Sequence, residues 1–158
     1  MSQNITEVLL WLFVMNLGIA FGAGLYEIRI VVAPWIDSVL RGEPARFPDT
    51  GRKFWAFVTT GPLTLLTLAS LVAAWQTPGA RGTWWLGAAV ITLVERIMTF
   101  SFFIPTMLKL QRGQISPESK VKAIASRWVN LNYVRAALNL AAWIAALQAF
   151  SLPSVNGG

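Results

Sequence analysis

ITEVLLWLFVMNLGIAFGAGLYEIRIVVAPWI, residues 5–36, is an apolar run longer than the about 20 residues that a helix needs to cross a bilayer. Further segments of this kind occupy residues 54–75, 84–110 and 127–150. Of the 158 residues, 55% are hydrophobic and 13% are charged, whereas soluble domains carry about 25% charged residues. The sequence therefore predicts an all-α protein: one integral membrane domain, residues 1–158, folded as an antiparallel bundle of four transmembrane helices.

The ends of the segments set the expected helix bounds. Ser116, Pro117 and Glu118 are typical of a helix start, because Ser caps backbone N–H groups, Pro suits the first turn and Glu complements the helix dipole. The fourth helix is therefore expected over residues 117–150, which makes the first and fourth helices the long ones. Between the second and third helices, Thr77-Pro78-Gly79 and Gly82 predict a short turn.

The basic residues divide by loop and predict the orientation. Nine of them lie in or beside the first and third loops: Arg41, Arg46, Arg52, Lys53, Lys109, Arg112, Lys120, Lys122 and Arg127. The second loop has only Arg81. Cytoplasmic loops carry the excess of Lys and Arg, so loops 37–53 and 111–126 are expected in the cytoplasm of a bacterial inner membrane, with both termini outside. Membrane insertion accounts for the net charge of +6, so the expected partner is lipid and no nucleic acid.

Tryptophan placement agrees with this orientation, because Trp rings favour the membrane–water interface. We expect a cytoplasmic belt of Trp35, Trp55 and Trp128. The expected outer belt consists of Trp11, Trp75, Trp84, Trp85 and Trp143. An alternative for Trp143 is that its ring packs between helices.

The chain has no Cys and no His. Disulfides, thiolate chemistry, His-ligated haem and the usual zinc sites are therefore excluded. Two intramembrane Glu residues support a carboxylate-only metal site poorly, so we expect no metal and no cofactor. No basic region precedes the first apolar run, so we expect the first helix to stay in the mature protein.

Five ionisable residues lie inside the apolar segments: Glu27, Arg29, Glu95, Arg96 and Arg135. A charge near the bilayer centre costs at least about 2.5–3.5 kcal/mol on insertion scales, so such residues usually face a partner or a cavity. At about 1.5 Å rise per residue, an antiparallel bundle brings these charges from three helices into one layer. Three Arg against two Glu leave one positive charge over, unless Arg29 reaches the inner headgroups. A surplus cation favours an anionic ligand.

Polar side chains of the fourth helix accompany this layer. Asn132, Arg135 and Asn139 follow i, i+3, i+7 spacing, so they share one helix face. Trp128 flanks that face. These residues predict a pocket for a planar, partly polar, weakly acidic molecule.

The other helices add hydroxyl and amide groups to the expected pocket. Thr92 and Thr99 lie one turn either side of the Glu95–Arg96 pair. Asn16 shares a face of the first helix with Glu27. On the second helix, Thr60, Thr64 and Thr67 share a face and Pro62 frees a backbone carbonyl, but these residues are not assigned to the pocket.

The same charges also admit a purely structural interpretation. Glu27 pairs with Arg96 or Arg135, Glu95 pairs with the other Arg, and the Asn residues bridge helices. Buried charges need pairing whether or not they act in catalysis, so the two interpretations are compatible.

Four stretches of the chain resemble the anthrone-oxygenase-like family. They are NLGIAFGAGLYEIRIVVAPW (residues 16–35), FWAFVTTGPLTLLTLA (54–69), ERIMTFSFFIPTM (95–107) and RWVNLNYVRAALNLAAW (127–143). The most specific element is the W-x-x-x-N-x-x-R pattern of Trp128, Asn132 and Arg135. Through the family's fungal branch, the resemblance implies oxidation of an anthrone to an anthraquinone with O2, without a metal or flavin.

Such chemistry needs a base, an anion stabiliser and an apolar cavity for O2. We expect Glu27 or Glu95 to act as the base and Arg135 or Arg96 to stabilise the enolate. Asn132 and Asn139 are expected to orient the substrate. No catalytic base of the family is matched residue by residue onto this chain.

Two other functions remain open. One is a structural or assembly subunit that binds lipid, quinone or another membrane protein, with the charges bracing the bundle. The other is a proton-coupled transporter of small solutes, although three intramembrane Arg argue against a cationic substrate. A homo-oligomer is compatible with all of these functions.

Overall fold

The computed structural model of the protein describes residues 3–41, 53–115 and 118–153. Most of the first basic loop (residues 42–52), the expected cap at Ser116 and Pro117, and residues 154–158 lie outside the described residues.

Four long helices make up almost all of the described chain. Helix α1 consists of Gln3–Tyr26, a π-helical turn Glu27–Val31 and Val32–Leu40. Helix α2 consists of a π-helical segment Trp55–Thr60 and Gly61–Gln76. Helix α3 consists of Gly79–Met98, a π-helical turn Thr99–Phe103 and Ile104–Gln111. Helix α4 is Glu118–Ser151. All four are long and apolar enough to cross a membrane, which confirms an all-α integral membrane protein.

The helices form an antiparallel bundle in which each helix packs against its sequence neighbours and α1 also packs against α4. Gly18 lies against the Trp143 indole, and Trp35 lies edge-to-face on Trp128 with ring centroids 5.5 Å apart. Helices α1 and α4 are therefore antiparallel, so the start of α1 lies beside the end of α4. We call the end with residues 3–11 and 143–151 the terminal end, and the end with residues 36–41, 109–115 and 118–128 the basic end.

The third helix is longer than the sequence indicates. It begins at Gly79, so only Thr77 and Pro78 separate it from α2, and Gly82 lies inside the helix and not in a turn. A Cβ atom on Gly82 would lie 1.8 Å from the Thr77 carbonyl oxygen. Glycine here permits the close return of the chain. The first and fourth helices are long, as expected, and α3 reaches a similar length.

An ion pair joins α1 and α3 at the terminal end. Arg81 Nη2 lies 2.6 Å from Glu7 Oε2, and the Arg81 side chain is buried. Arg81 therefore lies in the first turns of α3 and not in the second loop, where the sequence analysis placed it.

Small side chains fill the core of the terminal half. Fully buried large residues include Leu10, Phe13, Leu17, Leu63 and Trp85. They are interleaved with buried alanines at positions 73, 74, 88, 89, 142, 145, 146 and 149. Since small residues let helix backbones approach closely within a membrane, this half of the bundle is tightly packed.

Three of the helices contain a π-helical turn, and each turn stands two or three residues before a proline. The backbone N–H of Val32 bonds to the Glu27 carbonyl, that of Gly61 to Ala56 and that of Ile104 to Thr99, each five residues back. Pro34, Pro62 and Pro105 follow these turns. A proline ring clashes with the carbonyl four residues before it, and a wider turn relieves that clash. All three turns lie toward the basic half of the bundle.

The tryptophan belts are only partly as expected. Trp35 and Trp128 are buried, so they pack inside the basic half and do not face an interface. Trp85, expected in the outer belt, has no exposed surface. Trp143 packs against α1, which is the alternative given for it. Trp75 is the most exposed of these rings, at 79%.

Candidate functional site

Four charged side chains form a continuous chain of ion pairs across the basic half of the bundle. Arg96 Nε donates to Glu95 Oε2 at 2.6 Å, and Arg96 Nη2 contacts the same oxygen. Arg135 Nε lies 3.8 Å from Glu95 Oε1, and Arg135 Nη2 lies 3.7 Å from Glu27 Oε2. The four charges that sequence reasoning assigned to one layer are therefore in contact, in the order Arg96, Glu95, Arg135, Glu27.

Arg135 holds the centre of this chain through contacts with all three other helices. Its two ion-pair distances exceed the 2.7–3.2 Å of ordinary N–H···O hydrogen bonds. Its guanidinium carbon lies 4.8 Å from the Phe103 ring centroid and 5.7 Å from that of Trp55. Cation–π contact and two loose ion pairs thus hold Arg135, whereas Arg96 is tightly bonded to Glu95.

A cavity of about 730 Å³ borders this chain of charges. Its polar lining consists of Glu27, Thr60, Thr64, Arg96, Thr99 and Arg135. Its other walls are apolar or aromatic and include Trp55, Leu65, Phe100, Phe103, Met107 and Trp128. This volume lies within the about 300–1,000 Å³ range of small-molecule sites, which also combine apolar walls with few polar groups. We call it the lateral cavity.

The lateral cavity lies between α2 and α3, where the two helices separate. Residues 55–65 of α2 form one wall and residues 96–108 of α3 form the facing wall. Leu65 and Phe100, on these two walls, are 71% and 51% exposed on the bundle surface. The cavity therefore reaches the side of the bundle, between two helices that are long enough to span a membrane.

A second, much smaller cavity lies on the other side of Arg135. Its volume is about 20 Å³, and its polar lining consists of Glu95, Arg96, Asn132, Arg135 and Asn139. Such a space is large enough for about one water molecule. The Oδ1 atoms of Asn132 and Asn139 are buried without a hydrogen-bond partner among the described residues, so both can accept a bond there.

Some of the remaining candidate residues line a cavity, and others contact only other parts of the helices. Thr99 lines the lateral cavity and donates to Glu95 Oε1 at 3.2 Å. Trp128 also lines it and donates from Nε1 to the Phe103 carbonyl at 3.2 Å. Thr92 bonds only to the Ala88 carbonyl of its own helix among the bonds described, and it lines neither cavity.

Asn16 lies beside the site and supports its wall. Its Nδ2 donates to the Val58 carbonyl of the π-helical segment of α2 at 3.1 Å. A π-helical turn leaves backbone carbonyls without their usual partner, and Asn16 satisfies one of them. Asn16 lines neither cavity, so the structure gives it a positioning contact with α2 in place of the expected ligand contact.

Arg29 is separate from the cluster. Its side chain is exposed, whereas Glu27, Glu95 and Arg96 are buried. The cluster therefore contains two Glu and two Arg, and the expected surplus positive charge disappears. One hydrogen-bond donor of the cluster is left over, because Arg96 Nη1 is buried without an acceptor among the described residues.

Sequence reasoning missed the residues that α2 contributes. Trp55 lines both cavities, and Thr60 and Thr64 line the lateral cavity. The available signal was the threonine face beside Pro62, which is typical of a helix that faces polar groups. Trp55 was assigned to an interfacial belt because it stands at the helix end.

Comparison with known proteins gives one match. The model of the family described as anthrone oxygenase matches residues 54–145, more than half of the chain. The match includes Trp55, Glu95, Arg96, Asn132 and Arg135, and α1 with Glu27 lies before it. Neither a curated protein nor a solved structure matches the chain.

Proposed function

The chain belongs to the anthrone oxygenase family, and on that premise we propose that it oxidises an anthrone-like tricyclic ketone with O2 in the lateral cavity. The observation that carries this proposal is the position of Glu27, Arg96 and Arg135 together in the wall of an otherwise largely apolar 730 Å³ space. A base and two cations beside an apolar volume are what enolate formation and O2 access require.

The reaction is balanced with O2 as the only oxidant. A base removes one proton from the methylene carbon and generates an enolate, which transfers one electron to O2. The resulting carbon radical and superoxide combine into a peroxide anion at that carbon, which takes the proton back from the base and becomes a hydroperoxide. Loss of the second methylene proton with cleavage of the O–O bond forms the new carbonyl, so anthrone and O2 give anthraquinone and water.

We assign the base role to Glu27. Glu27 lines the lateral cavity, and its nearest cation, Arg135, lies at 3.7 Å, so the carboxylate is not closely paired. Glu95 lines only the small cavity and is tightly bonded to Arg96. Of the two Glu residues considered from the sequence, Glu27 is therefore better suited to accept a proton.

Arg96 and Arg135 are assigned to stabilise the enolate. Both line the lateral cavity, and Arg96 retains a nitrogen without a partner among the described residues. Glu95 and Thr99 act through Arg96: Glu95 fixes the guanidinium and Thr99 fixes Glu95. A preorganised cation beside a developing negative charge contributes to the rate because it needs no reorganisation during the reaction.

Asn132 and Asn139 are assigned to hold the Glu95–Arg135 contact from the small cavity, because neither lines the lateral one. Their role would be to position charges, with or without a bridging water molecule, and not to touch the substrate as first expected.

For orientation, we propose that the basic end faces the cytoplasm of a bacterial inner membrane and that both termini lie outside. The nine basic residues of the first and third connections support this direction. A protease-accessible tag at each terminus should be cleaved from outside intact cells. Cleavage only after the membrane is opened would reverse the assignment.

The test is anthrone-dependent O2 uptake by the purified protein in lipid nanodiscs. Uptake should exceed spontaneous oxidation, and Glu27→Gln should remove the excess. The matched control is Glu7→Gln. Glu7 also lies in α1 and is paired with an Arg of α3, but that partner is Arg81, near the terminal end. No excess in the wild type, or equal loss in both variants, contradicts the assignment.

A second candidate function is binding of the same class of ligand without turnover. The observation in its favour is the charge balance of the cluster, in which each Glu has an Arg neighbour. Saturable binding of a hydroxyanthraquinone without anthrone-dependent O2 uptake would select this function over the enzyme.

A further inference from the structure

We infer that the ligand reaches the site sideways from the bilayer, between α2 and α3, and arrives as a neutral, membrane-dissolved molecule with an apolar body and one polar end. The inference rests on the proposed function for the identity of the ligand. It goes beyond that function in assigning the route, the charge state and the residues at the opening.

The opening lies at a depth where there is no water. Leu65 stands ten residues into α2 from Trp55, so it lies about 15 Å from the basic end of that helix. The hydrocarbon core of a bilayer is about 30 Å thick, so Leu65 and the facing Phe100 lie near its middle. Both side chains are apolar and exposed.

Among the described residues, aromatic packing fills the basic end between α1, α3 and α4. Trp35, Phe103 and Trp128 are all buried, with ring centroids 5.5 Å apart for Trp35–Trp128 and 5.8 Å apart for Phe103–Trp128. Leu110 is buried in the same cluster. A ligand that entered from the basic end between α1, α3 and α4 would have to separate these rings.

The terminal end is closed by the tightly packed core. Leu63 and Thr67 of α2 have almost no exposed surface, and Ala88 and Thr92 on α3 are buried in the same way. The lateral gap is therefore the path that requires the least displacement of described side chains.

The charge balance of the cluster fixes the form of the incoming ligand. Glu27, Glu95, Arg96 and Arg135 sum to zero, so a charged ligand would add an uncompensated charge to a membrane interior. A neutral ketone adds none, and its carbonyl oxygen can accept a bond from a guanidinium group of the cavity wall, Arg96 or Arg135. The negative charge then appears only inside the cavity, when Glu27 takes the proton.

The route is tested by the rates at which hydroxyanthraquinone binds to the protein in nanodiscs, followed by quenching of tryptophan fluorescence. Leu65→Trp narrows the opening and should slow association and dissociation together by about tenfold, which is about 1.4 kcal/mol on both barriers, so that Kd changes less than either rate. Leu68→Trp is the matched control, because Leu68 is 52% exposed on the same helix but lines neither cavity. Wild-type rates in Leu65→Trp, or no binding to the wild type, overturn the inference.

A second measurement needs no bulky substitution. Because the chain has no Cys, a nitroxide on Leu65→Cys reports from one position. Its relaxation should respond to O2 and not to a water-soluble nickel chelate, and hydroxyanthraquinone should reduce the response to O2. A label on Leu68→Cys should respond to O2 with or without the ligand. Access of the nickel chelate to position 65 would show a water-filled path and contradict the lateral route.

The two proposals fail separately. Normal lateral binding without O2 uptake would reject the oxidation and keep the route. O2 uptake with unchanged rates in Leu65→Trp would reject the route and keep the oxidation.

Discussion

The two halves of the bundle use the same four helices for opposite purposes. In the terminal half, buried alanines let the backbones of the four helices approach one another closely. Trp85, Leu10 and Phe13 have no exposed surface there. In the basic half, α2 and α3 separate around a 730 Å³ cavity, and buried Glu and Arg residues replace the alanines. We infer that packing in the terminal half stabilises the fold. In the basic half, the cavity and the buried charges form a site at some cost in stability.

The π-helical turns mark the boundary between the halves. Glu27 begins the turn of α1, Trp55 begins that of α2 and Thr99 begins that of α3, and all three line the lateral cavity. A π-helical turn inserts one residue and so rotates the side chains after it relative to those before it. Each helix can therefore present an apolar face to the terminal core and different residues to the cavity.

The largest effect is expected from Arg135→Leu, which removes the centre of the charged cluster. Glu27 loses its ion-pair partner and Glu95 loses one of two. Breaking a buried ion pair costs about 3–5 kcal/mol, so unfolding in mixed detergent micelles should shift by that amount and O2 uptake should vanish. Arg29→Leu is the control, since Arg29 is exposed, and should change neither. A stable, active Arg135→Leu protein would show that the halves do not differ as described.

The next effect is expected in the terminal half, from Gly82→Ala. The added methyl group would meet the Thr77 carbonyl, so the turn between α2 and α3 must shift, at a cost of about 1–3 kcal/mol in unfolding free energy. Gly87→Ala lies on the same helix with open space around it and should be neutral or stabilising. Equal effects of the two substitutions would argue against close packing at this turn.

A smaller effect on stability, but a clear one on function, is expected from Pro105→Ala. Without the proline ring, α3 no longer needs the wide turn at Thr99–Phe103, and an α-helix would rotate Met107 and Leu108 out of the cavity wall. Stability should be unchanged or rise by about 1 kcal/mol, while O2 uptake falls. Unchanged uptake with raised stability would separate the π-helical turn from the site.

The smallest effect is expected from removing one hydroxyl group. Thr99→Val deletes the bond to Glu95 and should cost about 1 kcal/mol in unfolding free energy and reduce O2 uptake. Thr92→Val loses only a bond to the carbonyl four residues before it, so both measurements should stay near wild type. The reverse ranking would place the functional hydroxyl on the terminal side of Glu95.

Hydropathy was enough to predict the bundle, because four apolar runs of sufficient length allow few other folds. The charged cluster was also predictable, since Glu27, Glu95, Arg96 and Arg135 must find partners inside a membrane. Their pairing was not, because it depends on rotation of each helix about its axis. The π-helical turns change that rotation, and they were not predicted from the prolines that follow them.

The error in the tryptophan belts has the same origin. Trp35 and Trp128 were placed at an interface because of their position along the helix, whereas they face each other across the bundle. Arg29 was named among the intramembrane charges because it lies inside an apolar segment, with the alternative that it reaches the inner headgroups, and its exposed side chain agrees with that alternative. Position along a helix gives depth, but only packing gives direction.

The most direct test of the account is an experimental structure of the protein in nanodiscs saturated with hydroxyanthraquinone. The account predicts ligand density between residues 55–65 and 96–108, with its polar end at Arg96 and its body against Leu65 and Phe100. Density at another place, or a lateral cavity that still holds a lipid chain at saturating ligand, would contradict it.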